Sequence, residues 1–366
     1  MRIIKINPAH PEDHKIKEGI RVLKNGGLVA FPTDTVYGLG ADAESLEAID
    51  RLYQVKKRPR EKPFILFLAK KEEILDFTET IPLSAQRLMN KFWPGPLTLI
   101  FKASSISPAT LLNQQGEIAI RVPSHPIPQK LIEKNKILLG TTSANFSGEP
   151  SPLRASQITA YLKEEIDLLL DGGEALLGEE STIVRATSRE LQLIREGWLP
   201  RETVDKEGKA KGDILFVCTG NTCRSVMAEA LLKKLWPEEQ SHRVKIHSAG
   251  IAAFYGSPPG KMTLEVLREK GINASSYRSA RSEGAALKMA DLILVMEKDH
   301  RERILHLYPP ARGKVFLLKE FATGLKEEIS DPMGGSYQSY EKCFKEIEEN
   351  IKGIIKKLGL DYDRGA

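Results

Sequence analysis

The sequence predicts an α/β protein of two domains, and three observations carry that prediction. At 366 residues the chain is longer than one hydrophobic core usually serves. Apolar runs of strand length alternate with segments of helical periodicity in both halves. Between the halves, residues 202–211 ("ETVDKEGKAK") are polar and lack apolar periodicity, which marks a linker. The expected layout is a first domain over 1–201, a linker over 202–211 and a second domain over 212–366.

In the first domain "GLVAF", "PFILFLA", "PLTLIF", "EIAIRV", "ILLG", "STIV" and "LQLI" read as strands. Ile16, Ile20 and Leu23, and then Leu46, Ile49, Leu52 and Tyr53, recur at helical spacing between strands. The expectation is a twisted open sheet with helices. In the second domain "DILFVC", "VKIHSAG", "ADLILVM" and "KVFLL" alternate with helical segments, the βαβ rhythm of a four-stranded parallel sheet. A last helix places Tyr340, Phe344, Ile347, Ile351, Ile354 and Leu358 on one face, and Cys343 beside them reads as core packing. No internal repeat relates the two parts.

Composition narrows the function classes. Residues 1–210 hold 29 Lys+Arg against 28 Asp+Glu, and the remainder 25 against 21, so neither part is a basic nucleic-acid surface in bulk. Three cysteines argue against a disulfide framework and for a reducing cytoplasm. The N-terminal "MRIIKINPAHPEDHKIK" turns charged before an apolar core develops, so neither a signal peptide nor a membrane span is expected.

The densest chemistry lies in "VCTGNTCRS", Val217–Ser225, between a predicted strand and a predicted helix. Such a junction aims backbone N–H groups and the positive helix end at one point, which binds phosphate. The same field favours the thiolate of Cys218 at the strand's end. Arg224 offers a planar fork for two phosphoryl oxygens. Thr219 and Gly220 continue the curve, Gly220 by its backbone freedom, and Asn221 tolerates left-handed geometry. Ser225 presents a hydroxyl to the sulfur. Together these residues make a nucleophile poised against a bound phosphate ester or amide. Cys218 and Cys223 could also be half of a metal site, but one further cysteine does not complete a zinc set, and no metal is expected.

The loop C-x-G-N-x-C-R-S resembles that of the low-molecular-weight protein phosphatases, and the resemblance runs through residues 212–366. "HSAG" (247–250), "ADLILVM" and the late Asp331-Pro332 also match. It implies Cys218 as nucleophile forming a phosphocysteine, Arg224 as phosphoryl binder and Asp331 as general acid, with Asn221 and Ser225 tuning the loop and no cofactor. Val226 stands where members usually have Pro. Thr222 resembles the branch acting on protein phosphoarginine, whereas tyrosine-directed members usually carry an aliphatic residue there. A hydroxyl suits a guanidinium rich in donors, and an aliphatic wall would leave them unpaired. Phosphotyrosine hydrolysis and arsenate reduction through the Cys218/Cys223 pair are the alternatives.

In the first domain "FPTDTVYGLGADA" (31–43) is followed by "KKRPREKPF" (56–64), where five Lys/Arg fall in nine residues before a strand. Two prolines shape that loop, and converging cations suit a polyphosphate. An RNA-binding patch is the alternative reading. "TTSANFSG" (141–148) places hydroxyls, an amide and a glycine at a strand's end, where α/β sheets bind ligands.

Six ordered motifs resemble the YrdC-like threonylcarbamoyl-adenylate synthases over residues 1–200: P-T-D-T-x-Y-G-L, K-x-R-P-x-x-K-P, R-V-P-x-H-P, S-A-N-x-S-G, S-T-I-V and I-R-x-G. The resemblance implies joining of L-threonine and bicarbonate to ATP, taken with Mg2+, to give threonylcarbamoyl-AMP and diphosphate. Proteins completing a tRNA modification would receive the product, and phosphoproteins would be the second domain's substrates. It implies ATP contacts from Arg58, Lys62, Ser143 and Arg195, with Lys56 and Asn145 nearby. Thr35, Arg121, Thr141 and Ser181 would hold threonine, Arg121 by its carboxylate. Phe67 stands where many members have His.

Overall fold

The computed structural model describes residues 1–134, 137–187 and 190–360. These form two compact units, one of residues 1–79 with 91–208 and one of 80–90 with 209–366.

The first unit is built on ten strands: β1 (Arg2–Lys5), β2 (Val29–Pro32), β3 (Tyr37–Asp42), β4 (Ile65–Phe67), β5 (Leu97–Lys102), β6 (Glu117–Arg121), β7 (Leu139–Ser143), β8 (Leu168–Asp171), β9 (Thr182–Arg185) and β10 (Gln192–Arg195). Their order is β1-β8-β2-β3-β7-β4-β6-β5-β9-β10, a mixed sheet. The seven predicted runs became β2, β4, β5, β6, β7, β9 and β10, while β1, β3 and β8 lie outside them. In β3 the alternating glycines explain this. A Cβ at Gly40 would stand 2.9 Å from both Phe31 and Leu139, so the strand gives up side chains to the rings beside it. The helix Asp13–Lys24 buries Ile16, Ile20 and Leu23 against Val29, Phe31, Leu168 and Leu170, as its spacing predicts. Its acidic first turn and basic last turn also suit the helix dipole.

The second unit holds β11 (Gly212–Cys218), β12 (Val244–Gly250), β13 (Leu292–Val295) and β14 (Val315–Leu317), all parallel in the order β12-β11-β13-β14. These are the four predicted strands. β11 is central and buried at every residue, which is why it reads as a continuous apolar run. The last helix, Tyr337–Lys357, buries its predicted stripe together with Cys343, whose thiol burial pushes up to about 12.

Two features depart from the expected layout. The stretch 202–211 is largely helical, over Arg201–Lys209, because Val204 packs inside and Glu207 is held by Lys91 Nζ at 2.5 Å. Residues 80–90 group with the second unit. There Arg87 grips Asp291 through both fork atoms (3.2 and 3.0 Å), Asn90 Nδ2 donates to the Asp291 carbonyl (2.8 Å), and Gln86 Nε2 donates to the Gly313 carbonyl (3.1 Å). Asp291 is buried and needs a cation; no local pattern announces that Arg87 supplies it. Among the described residues no helix is long and apolar enough to cross a membrane.

Candidate active sites

β11 delivers Cys218 to the sheet's C-terminal end, and the helix Arg224–Leu235 begins six residues later, as the loop's spacing requires. Cys218 is buried, with its Sγ 3.0 Å from Ser225 Oγ and accepting the Asn221 N–H at 3.3 Å. Asn221 adopts the left-handed conformation expected of it, φ 53°. Its amide nitrogen donates to Ser225 Oγ (2.9 Å) and Ser248 Oγ (2.8 Å), and its carbonyl accepts from the Ala280 N–H (2.9 Å). Ser248 in turn donates to the buried Glu229 at 2.6 Å. Asn221 thus ties the loop to β12 and to the segment at Ala280. Gly250 has a steric reason: a Cβ there would lie 2.6 Å from the Thr219 carbonyl. Val226, in place of proline, is simply buried in the helix's first turn.

Arg224 is buried at 1% exposure. It donates to the Ile329 carbonyl (3.0 Å), to Glu297 Oε1 and to Asp331 Oδ2 (2.5 Å). Burial opposes its charge, and the two carboxylates outweigh that and hold the guanidinium protonated. The structure therefore brings Cys218, Arg224 and Asp331 to one place. Glu297 was not read from the sequence, nor was His300, whose Nε2 meets Thr219 Oγ1 at 2.9 Å. Neither lies in a recognisable spacing; both follow β13 and reach the loop only through the fold. Thr222 is half-buried; its carbonyl accepts from the Gly260 N–H (3.0 Å) and its hydroxyl approaches Cys223 Sγ at 3.8 Å, a weak contact. Gly220 leaves room beside that hydroxyl, since a Cβ would lie 3.4 Å from it.

In the first unit the turn between β2 and β3 carries Thr35, and β6 ends at Arg121. Arg121 Nη1 donates to Thr35 Oγ1 (2.9 Å) and Nε to the Gly95 carbonyl (2.9 Å), while Nη2 pairs with Asp34 Oδ1 at 2.8 Å. Both partners of that pair are almost fully buried. Phe67, in register with Arg121, puts its ring 5.6 Å below the guanidinium, so an aromatic face meets the cation here. Thr141 is buried and donates to the Ile65 carbonyl (3.0 Å). Ser181 is buried, 2.9 Å from Thr98 Oγ1 and 3.3 Å from Arg195 Nη2.

Arg195 and the loop at Ser143 form a second group. Arg195 pairs with Glu180 and donates to the Ser181 carbonyl at 2.7 Å. Burial opposes ionisation of Glu180, but the Arg195 charge and the Ser151 hydroxyl outweigh it and keep the carboxyl below its usual range. Lys56 is 1% exposed and donates to the carbonyls of Ser143 (2.6 Å) and Asn145 (2.5 Å) and to Asn145 Oδ1 (2.6 Å). Burial, then the neighbouring Arg58 charge, pushes its ammonium down to about 7. Lys56 is thus committed to holding the Ser143–Asn145 loop. Ser143 Oγ also meets Asn145 Oδ1 at 2.7 Å. Arg58 is folded over its own loop, donating to the carbonyls of Lys62 (2.7 Å) and Pro63 (3.3 Å) and lying 5.5 Å from the Phe64 ring. The Lys62 side chain is exposed. Glu180 and Asp34 were missed as functional candidates although each sits inside or beside a quoted motif.

Comparison with known proteins assigns both units. A family model named Sua5_yciO_yrdC, described as "Telomere recombination", matches residues 21–197. One described as "Low molecular weight phosphotyrosine protein phosphatase" matches residues 213–363. The chain is 39% identical over 195 residues to the threonylcarbamoyl-AMP synthase of Pyrococcus abyssi, covering 53% of this chain and 57% of that protein. It is 35% identical over 184 residues to the threonylcarbamoyl-AMP synthase of Vibrio vulnificus strain YJ016, covering 50% of this chain and 98% of that protein. Over 152 residues it is 41% identical to the protein-arginine-phosphatase of Bacillus subtilis, covering 41% of this chain and 98% of that protein. The chain therefore spans little more than half the length of the archaeal synthase but nearly all of the other two.

Proposed function

Since the chain belongs to the Sua5/YciO/YrdC family in its first part and to the low-molecular-weight phosphatase family in its second, we propose that it is a bifunctional enzyme. The first unit joins L-threonine, bicarbonate and ATP into threonylcarbamoyl-AMP and diphosphate, with one bicarbonate oxygen leaving as water. The observation that carries this is the buried Arg121, oriented by Thr35, Gly95 and Asp34 as a carboxylate receptor. Arg58, Lys62, Ser143 and Arg195 take the nucleotide, and Thr141 and Ser181 complete the threonine pocket. Mg2+ would accompany the ATP phosphates as part of that substrate. The product passes to cytoplasmic proteins that modify tRNA.

The second unit hydrolyses protein phosphoarginine. What carries this is the convergence of Cys218 Sγ, the Arg224 fork and Asp331 on one loop. Sγ attacks phosphorus in line, the P–N bond breaks, and Asp331 gives its proton to the leaving nitrogen. Arg224 exchanges Asp331 for phosphoryl oxygens as substrate enters, and Glu297 keeps the other side of its fork in place. Water then attacks the phosphocysteine and gives its proton to Asp331, the P–S bond breaks, and phosphate and the Cys218 thiolate are released. Purified full-length protein should release diphosphate from ATP only when threonine is present, and should hydrolyse phosphoarginine in preference to phosphotyrosine. Threonine-independent release would defeat the first assignment, and a preference for phosphotyrosine the second.

An oxidative control follows from the two thiols of the loop. Cys218 and Cys223 are both free. Peroxide oxidising Cys218 to the sulfenic acid gives Cys223 a sulfur to attack, with loss of water and formation of a disulfide. Peroxide should therefore inactivate the phosphatase and reductant restore it, whereas in Cys223→Ser the loss should become largely irreversible. Peptide mapping that finds no Cys218–Cys223 crosslink would dispose of this mechanism.

A further inference from the structure

Asp34 enters the assignments above only as a neighbour of Arg121, yet its own surroundings are unusual. It sits in the turn between β2 and β3, 2% exposed, with its own carbonyl fixed by the Leu177 N–H at 3.0 Å. Its Oδ1 accepts the Ser124 N–H at 3.3 Å and lies 2.8 Å from Arg121 Nη2 as an ion pair, although that nitrogen makes no hydrogen bond to any described residue. Its Oδ2 is buried and makes no hydrogen bond to any described residue. Securing Ser124 would need one acceptor only. A buried anionic oxygen without a donor is unfavourable, so its retention points to a donor that arrives with a ligand.

We infer that Asp34 receives the α-ammonium of the amino-acid substrate, while Arg121 beside it receives the carboxylate. This rests on the reading of Arg121 and Thr35 as the threonine site. An amino acid carries its two charges on neighbouring atoms of one carbon, and a directly adjacent carboxylate–guanidinium pair presents the complementary two charges. In the free protein the pair neutralises itself, which lets both groups lie in the interior. A zwitterion brings no net charge, so it exchanges one internal pairing for two without leaving a charge uncompensated. Thr35 and Gly95 accept hydrogen bonds from two nitrogens of Arg121 and fix its orientation, which lets Asp34 turn to an ammonium without releasing the guanidinium.

The test compares L-threonine with 3-hydroxybutanoate, which keeps the carboxylate and hydroxyl but lacks the amine, by equilibrium binding to the full-length protein. Wild type should bind threonine at least about tenfold more tightly than the des-amino acid. Asp34→Asn keeps the oxygen that faces Ser124 and Arg121 and removes the negative charge, so it should weaken threonine by about tenfold or more and leave 3-hydroxybutanoate and ATP within roughly twofold. A parallel loss of both acids in the variant would mean that Asp34 acts only through Arg121, and would overturn the inference. Equal affinities in wild type would overturn it even if the variant fails to fold. Wild type that binds ATP but neither acid would instead remove the threonine-site reading, and the inference with it.

Discussion

Arg58→Ala is expected to abolish threonine-dependent diphosphate release, a loss of at least about a hundredfold, while phosphoarginine hydrolysis stays within roughly twofold of wild type. The side chain leaves the C-terminal end of the helix Leu46–Lys56, where Lys57 turns the chain in the left-handed conformation, φ 49°. It is half-buried along the Phe64 ring and its donors meet the carbonyls of its own loop, so it is partly organised before any phosphate arrives. Burial and the nearby Arg195 charge both press its protonation down, and an incoming polyphosphate relieves both effects. Alanine removes the planar fork and the stem packed on Phe64. Arg58→Lys should recover little, because a point charge does not reproduce two-point binding. Parallel steady-state assays of both activities decide the matter. If Arg58→Ala reduces the two equally, the variant has misfolded or the activities are coupled, and independent sites are excluded.

Thr222→Ile should lower phosphoarginine kcat/KM by about tenfold or more, the scale of ~1–3 kcal/mol for donors left unpaired in a buried site. Phosphotyrosine hydrolysis should hold or rise. In the proposed mechanism the machinery around the phosphoryl group is blind to the leaving side chain, since Cys218, Arg224 and Asp331 would act identically on either substrate. Discrimination falls to the wall that touches the leaving group. Within the loop the Thr222 hydroxyl makes only a 3.8 Å approach to Cys223, whereas Asn221 ties the loop to Ser225, Ser248 and Ala280. Isoleucine keeps the β-branch and the backbone hydrogen bond to Gly260, so loop geometry should survive the change. Equal losses on both substrates would show that the hydroxyl supports the loop after all.

Local pattern determined much of this protein. The continuous apolar runs of the second unit named all four strands because a buried parallel strand is apolar on both faces. The phosphate loop was legible for a related reason. Its chemistry is packed into eight consecutive residues, and a tight turn admits few alternatives to Gly220 and Asn221. The first unit's candidate binding residues were legible only as separate motifs, 33–35, 56–62, 121, 141–145, 181 and 195, with nothing in their order to fix which of them meet. The fold decided that. Arg121 reaches Thr35 across the sheet, Lys56 turns inward to hold the Ser143–Asn145 loop, and Arg195 closes on Glu180 and Ser181. It likewise supplied Glu297 to Arg224 and Arg87 to Asp291. A buried charge can take its partner from anywhere in the chain, since desolvation demands a counter-charge and sets no sequence distance for it. Hydrophobic periodicity is a property of neighbours and is written locally. Charge compensation is a property of space, and only the tertiary structure decided it.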